Sequence, residues 1–196
     1  MMIIIGVVGQ IASGKGVLVD YLVKEHGFTS FSLSAIVHEE LKKRGIKKFS
    51  RKDLQDIGDE LRKKYGKNVL ARRAIEELQN REGGRENVAN GFVIEGIRNP
   101  AEIEYLKSLP NFTLVAVKAT RELRFERLLK RNKPWDPRTW EEFLVVDRRD
   151  LGIGQQAAGQ QVGKCLAYAD YTVTNNGSIE KLNTKISRLV EKILKL

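Results

Sequence analysis

The chain has 196 residues, 35 basic and 25 acidic side chains, a formal charge of +10, and 41% hydrophobic and 31% charged residues. This suits one globular domain with a real core and excludes a disordered chain; the positive excess fits either anionic partners, nucleotide or nucleic acid, or a lysine-rich solvated surface. One cysteine, Cys165, and two histidines, His26 and His38, exclude a disulfide framework and a typical cysteine or histidine metal centre.

Met2–Val8 is a continuous apolar run, the pattern of a strand buried on both faces. No run reaches the ~18 residues of a membrane helix, and Met1–Val8 lacks the basic flank of a secretory leader. A cytoplasmic setting without a membrane partner is therefore expected. A glycine-rich turn leads into a helix over Lys15–Glu25, a short strand over Phe28–Leu33 and a helix over Ala35–Arg44. Ser50 and Asp53 form a capping box that opens a helix over Arg51–Tyr65, followed by a helix over Val69–Arg81. Arg81–Asn90 is polar and reads as a surface loop. A third strand over Gly91–Glu95 precedes Asn99-Pro100, a helix start, and a helix over Pro100–Leu109. Phe112–Lys118 is a strand, Arg121–Arg131 a helix, Asp170–Thr174 the last strand and Ser178–Leu196 the last helix. Such alternation predicts a parallel sheet covered by helices on both faces. Asn132–Gly154, with two prolines and two tryptophans, interrupts it as a mobile flap or small helical insertion within a single 1–196 domain.

The turn after the first strand reads Gly9-Gln10-Ile11-Ala12-Ser13-Gly14-Lys15-Gly16, then Val17. Glycines let backbone N–H groups approach phosphate oxygens, and the helix N-terminus adds positive charge. Lys15 can reach the β- and γ-phosphates of a nucleotide. The usual motif carries a serine or threonine after the lysine, to ligate magnesium. Gly16 and Val17 offer no hydroxyl, so magnesium has to be held by ATP phosphates, water and an acid elsewhere.

Glu95 closes the third strand at the edge where α/β sheets bind ligands, a position for holding magnesium or orienting an acceptor. Arg98, three residues on, is a candidate acceptor clamp. At ~100° per residue, Arg124, Arg127 and Arg131 fall on one helix face, and Glu122 and Glu126 lie elsewhere.

With its Gly-Lys-Gly loop, the chain resembles the small P-loop nucleotide kinases of the adenylate kinase, deoxynucleoside monophosphate kinase and dephospho-CoA kinase group. The resemblance covers nearly the whole chain in order and implies a five-stranded sheet of order 2-3-1-4-5 with a small lid over about 132–154. It implies ATP and Mg2+, with Gly9 to Val17, Arg127 and Asn176 around the ATP. It implies Lys15, Glu95, Arg131 and Arg148 as catalytic groups, with Arg149 beside Arg148 in the lid, and Glu95 as the metal's carboxylate. Ser32, Ser34, Arg62 and Arg98 are the acceptor-side candidates, with Arg72 and Arg73 on the same wall. The chain departs from adenylate kinases at His38, where they carry an arginine, and in the spacing of Glu95 and Arg98. The expected reaction is transfer of the ATP γ-phosphoryl group to a small anionic acceptor, a (deoxy)nucleoside monophosphate or dephospho-CoA. A nucleotide-binding regulatory module and a nucleic-acid-directed kinase or ATPase are the competing readings.

Overall fold

β1 (Ile3–Val8) is apolar throughout because it runs through the middle of the sheet, with a parallel neighbour on each side. The computed structural model describes residues 3–82 and 90–195. Within them β2 (Thr29–Ser32), β3 (Gly91–Glu95), β4 (Phe112–Lys118) and β5 (Tyr171–Thr174) complete a five-stranded parallel sheet of order 2-3-1-4-5. This is the order expected for a P-loop kinase fold.

Alternate residues of the strands feed two cores. Ile4, Val8, Phe92, Ile94, Leu114 and Ala116 face α2 (Leu33–Lys43), α3 (Arg51–Tyr65), α4 (Val69–Glu82), α5 (Pro100–Lys107) and α8 (Val162–Cys165). Ile5, Val7, Val93, Val115, Val117 and Val173 face α1 (Lys15–His26) and α9 (Ile179–Leu194). Parallel strands need both faces covered, and each face here closes over aliphatic side chains.

Element boundaries follow local chemistry. The capping box of Ser50 and Asp53 is present, as is a second one on Asn99 and Glu102 before Pro100. α2 starts at Leu33, two residues earlier than its pattern suggests, because Leu33 is fully buried and Ser32 takes the N-cap position directly from β2. α5 stops at Lys107, where Ser108 caps it. The loop expected over 81–90 lies mostly outside the described residues.

The segment 132–154 is ordered around α7 (Trp140–Leu151), which opens on a capping box of Thr139 and Glu142. Phe143 is fully buried in a third core with Ile11 and Leu128, backed by Phe125 and Trp140. α7 is thus a packed helical insertion whose core includes a residue of the glycine-rich loop. Among the described residues no helix is long and apolar enough to cross a membrane.

Candidate active site

The loop between β1 and α1 is shaped by positions that reject side chains. A Cβ on Gly9 would lie 2.3 Å from the Val117 carbonyl oxygen, so the loop leaves β1 in contact with β4. Gly14 is in the left-handed region at φ 99°, and a Cβ there would meet the Asn175 amide at 2.2 Å. A Cβ on Gly16 would meet nothing within 4 Å. This glycine is not required by packing, and the position of the usual hydroxyl is open. The Ser13 hydroxyl is buried without a partner, an orphan polar group inside the loop.

The Lys15 ammonium donates to the carbonyls of Gly9 and Gln10, at 2.8 and 2.9 Å. Burial, reinforced by nearby Arg98, lowers it to about 8, against the opposing pull of Asp150 and Glu95. The lysine is held within the loop beside other charges rather than projecting into water.

Ser32 ends β2 in register with Glu95 at the end of β3, so the two reach the same sheet edge. The hydroxyls of Ser32 and Ser34 lie 2.9 Å apart there. Together with Lys15, Arg98 and Arg131 they line a cavity of about 140 Å³ at the C-terminal ends of the strands. Sequence-predicted Lys15, Glu95, Ser32, Ser34, Arg98 and Arg131 are therefore brought together, with Ile11 and Ala12 of the loop in the same wall. This is the ligand position of open α/β sheets.

Five further residues complete the wall: His38, Arg51, Gly96, Lys133 and Trp135. Trp135 stacks on Phe49 with centroids 5.3 Å apart, and His38 lies 5.2 Å from Trp135. Burial, Arg51 and Lys133 lower the His38 pKa, so its neutral form is favoured. Burial, then Arg98, brings Arg51 down to about 10, despite the opposing pull of Asp136. Asp136, itself buried, accepts from Arg131 Nε at 2.6 Å and Nη2 at 2.8 Å, and from Arg51 at 3.1 Å. A single carboxylate thus sets the direction of two guanidinium groups.

The α6 helix (Arg121–Arg131) divides its arginine face among three tasks. Arg124 is buried, makes a two-bonded pair with Asp147 at 2.6 and 3.0 Å, and reaches the Ile11 carbonyl at 3.4 Å. Arg127 donates to the Asn175 carbonyl and side-chain oxygen at 3.0 and 3.2 Å. Only Arg131 lines the cavity.

Several expected site residues lie elsewhere. Arg62 is buried in an ion pair with Glu102 at 2.7 Å; it is absent from the Lys15 cavity and lines a smaller adjoining recess instead. Arg148 is exposed on the surface of α7 and absent from the cavity wall. Arg149 is taken by Asp56 and Asp59 of α3 at 2.7 and 2.8 Å. Arg72 is exposed on α4, and Arg73 stacks over Tyr65. Asn176 is exposed and accepts from the Thr120 amide, whereas its neighbour Asn175 donates to the Ser13 carbonyl at 3.0 Å and so braces the loop. The reason is strand parity: Val173 and Asn175 point inward while Asn176 faces out. Arg51 had a signal in the sequence, since a cation in the first turn of a helix opposes the helix dipole. Lys133, Trp135 and Asp136 had none, because their placement depends on how the chain turns after α6.

A model of the AAA domain matches residues 8–143. A UPF0200 protein of Methanothermobacter thermautotrophicus is 34% identical over 193 residues, covering 98% of this chain and 91% of its own. One from Thermococcus kodakarensis is 35% identical over 194 residues, 97% of this chain and 98% of its own. The chain belongs to the UPF0200 family and carries an AAA domain. Among solved structures, this UPF0200 chain is similar to TT1252 from Thermus thermophilus, with TM-score 0.61, 23% identity and 98% of each chain covered. It is also similar to a shikimate kinase from Bacteroides thetaiotaomicron, with TM-score 0.58, 15% identity and 100% coverage of both. At these identities the likeness establishes the P-loop kinase fold for the UPF0200 chain and nothing finer.

Proposed function

We propose that the protein is a phosphotransferase that moves the γ-phosphoryl group of ATP to a small anionic acceptor, a (deoxy)nucleoside monophosphate before dephospho-CoA. The observation that carries this reading is the convergence of Lys15, Arg51, Arg98, Arg131 and Lys133 with one carboxylate, Glu95, on a single cavity beside the loop. A module that only bound ATP would need cations along the loop. Here Arg51 and Lys133, from outside the loop, add further cations to the same wall, which favours a second anion.

In this reading Lys15 neutralises charge on the β- and γ-phosphates. Arg131 and Arg98 stabilise the charge spread over the phosphoryl oxygens during transfer, and Asp136 keeps Arg131 aimed. Glu95 orients the acceptor. Arg127 and Asn175 act through the loop, holding its backbone in shape.

Magnesium fits this site in a restricted way. Among the described residues no group of three His, Cys, Asp or Glu side chains could hold a metal, and Gly16 and Val17 offer no oxygen. Magnesium is commonly held by one or two carboxylates, water and substrate phosphates, so Glu95 is the residue of this chain that would hold it. When bound, the ion supplies further neutralisation of the phosphate oxygens.

The test is a panel of nucleoside monophosphates, dephospho-CoA and polynucleotide with ATP and magnesium, run with the protein and with Lys15→Met. Transfer to a small acceptor that Lys15→Met abolishes is the expected result. Binding without turnover, or hydrolysis driven by polynucleotide, would overturn it.

A further inference from the structure

Beside the Lys15 cavity lies a second, smaller recess of about 30 Å³, whose lining includes Gln55, Asp150 and Gln160. It shares Ser34, Arg51 and Arg98 with the Lys15 cavity, so the two adjoin. Asp150 is 1% exposed. Its Oδ1 accepts from Arg98, while Oδ2 is buried with no partner. Leaving a buried carboxylate oxygen without a donor is costly, and such groups are nearly always paired.

Two of the neighbouring donors are engaged elsewhere. Gln55 Nε2 donates to Gln160 Oε1 at 3.1 Å, and Arg62 Nε to Glu102 at 2.7 Å. Arg51 Nε, in the same recess, is likewise buried without a partner, so a group entering from outside can answer an orphan acceptor and an orphan donor together. A recess of about 30 Å³ takes one water-sized group. An anion is disfavoured by the free carboxylate oxygen. A cationic amine is disfavoured by Arg51 and Arg98, which share the recess, and by Lys15 close by. What remains is a neutral group that donates hydrogen bonds, and an –NH2 on a ring has that size and polarity. Leu33, Val37 and Leu54 supply apolar wall beside the polar end, which suits the edge of the ring that carries the amino group.

We propose that this recess reads the ring of the acceptor, and that Asp150 selects rings carrying an exocyclic amino group over those carrying an oxo group at the same place. The proposal rests on the nucleotide-acceptor reading above. It assigns the two ends of the acceptor opposite environments. The phosphate lies among Lys15, Arg131 and Lys133; the amino group lies against Asp150. An oxo group would set lone pairs against the lone pairs of Oδ2, and a site built around a hydrogen bond rejects the analogue lacking it.

The experiment is titration calorimetry of matched pairs, cytidine against uridine monophosphate and adenosine against inosine monophosphate, with the intact protein and with Asp150→Asn. Phosphoryl transfer from ATP to each is measured in parallel. The amino member of at least one pair should bind about tenfold or more tightly, the size of a hydrogen bond to a charged group. Asp150→Asn should collapse that ratio to near one or invert it. A merely structural role, acting by loosening Arg98, would weaken both members of a pair and leave the ratio alone. Equal affinities within both pairs for the intact protein, a ratio that survives Asp150→Asn, or no binding of any monophosphate would each overturn the proposal. The ratio of the intact protein decides the matter if the variant does not fold. Preference without transfer would uphold this subsite and remove the kinase reading; transfer without preference would do the reverse.

Discussion

At the residue scale Lys15 carries a testable pH dependence. Its pKa of about 8 lies below the ordinary 10.5, because burial and Arg98 disfavour the charged form. The sign follows from proton counting. In the window between those values the unfolded chain holds more protons at this site than the folded one, so the contribution of Lys15 to stability increases as pH rises through it. Bound polyphosphate favours the charged ammonium, so ATP binding takes up a proton above about pH 8. ATP affinity should fall as pH is raised past that point, and fall less in Lys15→Arg, whose guanidinium stays charged. Calorimetry in buffers of different ionisation enthalpy reads the uptake directly; no uptake near pH 8–9 would contradict the placement of Lys15 against phosphate. Glu95→Gln keeps the shape of its side chain and removes the charge. The expected outcome is a fall in transfer of about 100-fold or more, with a raised magnesium requirement, since neither Gly16 nor Val17 substitutes for the lost oxygen. Unchanged magnesium dependence in initial-rate measurements would leave Glu95 with the acceptor alone.

Among the elements, α6 and α7 decide how the site is braced. Asp147 is fully buried against Arg124, which also touches the Ile11 carbonyl. Asp147→Ala leaves that arginine buried without its partner, a change that typically costs about 3–5 kcal/mol. Urea denaturation should show a loss of that order, accompanied by weaker ATP binding through Ile11. Arg148 lies on the same helix, exposed, and Arg148→Ala should change stability by less than about 0.5 kcal/mol. Its transfer rate should stay near that of the intact protein, whereas Arg131→Ala should lose most activity, because Arg131 faces the cavity and Arg148 does not. Equal losses from the two, measured as kcat, would show that α7 moves its outer face over the phosphates. The helix is tied on both flanks, by Asp147 to α6 and by Arg149 to Asp56 and Asp59 of α3.

For the whole molecule the excess of 35 basic over 25 acidic side chains now has a partial destination. Five of the cations converge on one cavity, Lys15, Arg51, Arg98, Arg131 and Lys133, and Glu95 is the acid in its wall. Such a cavity concentrates small anions, and that attraction is screened by salt. Acceptor affinity should therefore weaken markedly between low and physiological ionic strength, with little accompanying change in thermal stability. The two tryptophans offer a local readout. Trp135 stands in the cavity wall against Phe49 and His38, while Trp140 packs with Phe125 and Phe143 in the core beneath α7. In a Trp140→Phe variant, fluorescence from Trp135 should respond to a nucleoside monophosphate. Silence from Trp135 under saturating ligand would place the acceptor elsewhere.

The sequence by itself determined the sheet and the loop. A strand buried on both faces, a glycine turn and a lysine at a helix start are fixed by local sterics and periodicity, and the alternation of elements restricts the connections to a parallel sheet. It also determined that Glu95 and Arg98 stand at the ligand edge, because strand ends in such sheets share that edge. What it left open were choices among equivalent charges. Arg124, Arg127 and Arg131 are alike by spacing, yet Asp147 claims the first, Asn175 the second, and Asp136 turns the third into the cavity. Arg62, with Glu102 as partner, and Arg149, with Asp56 and Asp59, are likewise settled by partners 40 or more residues away. A buried guanidinium must be paired, and which acid pairs it depends on distances that only the packed chain creates.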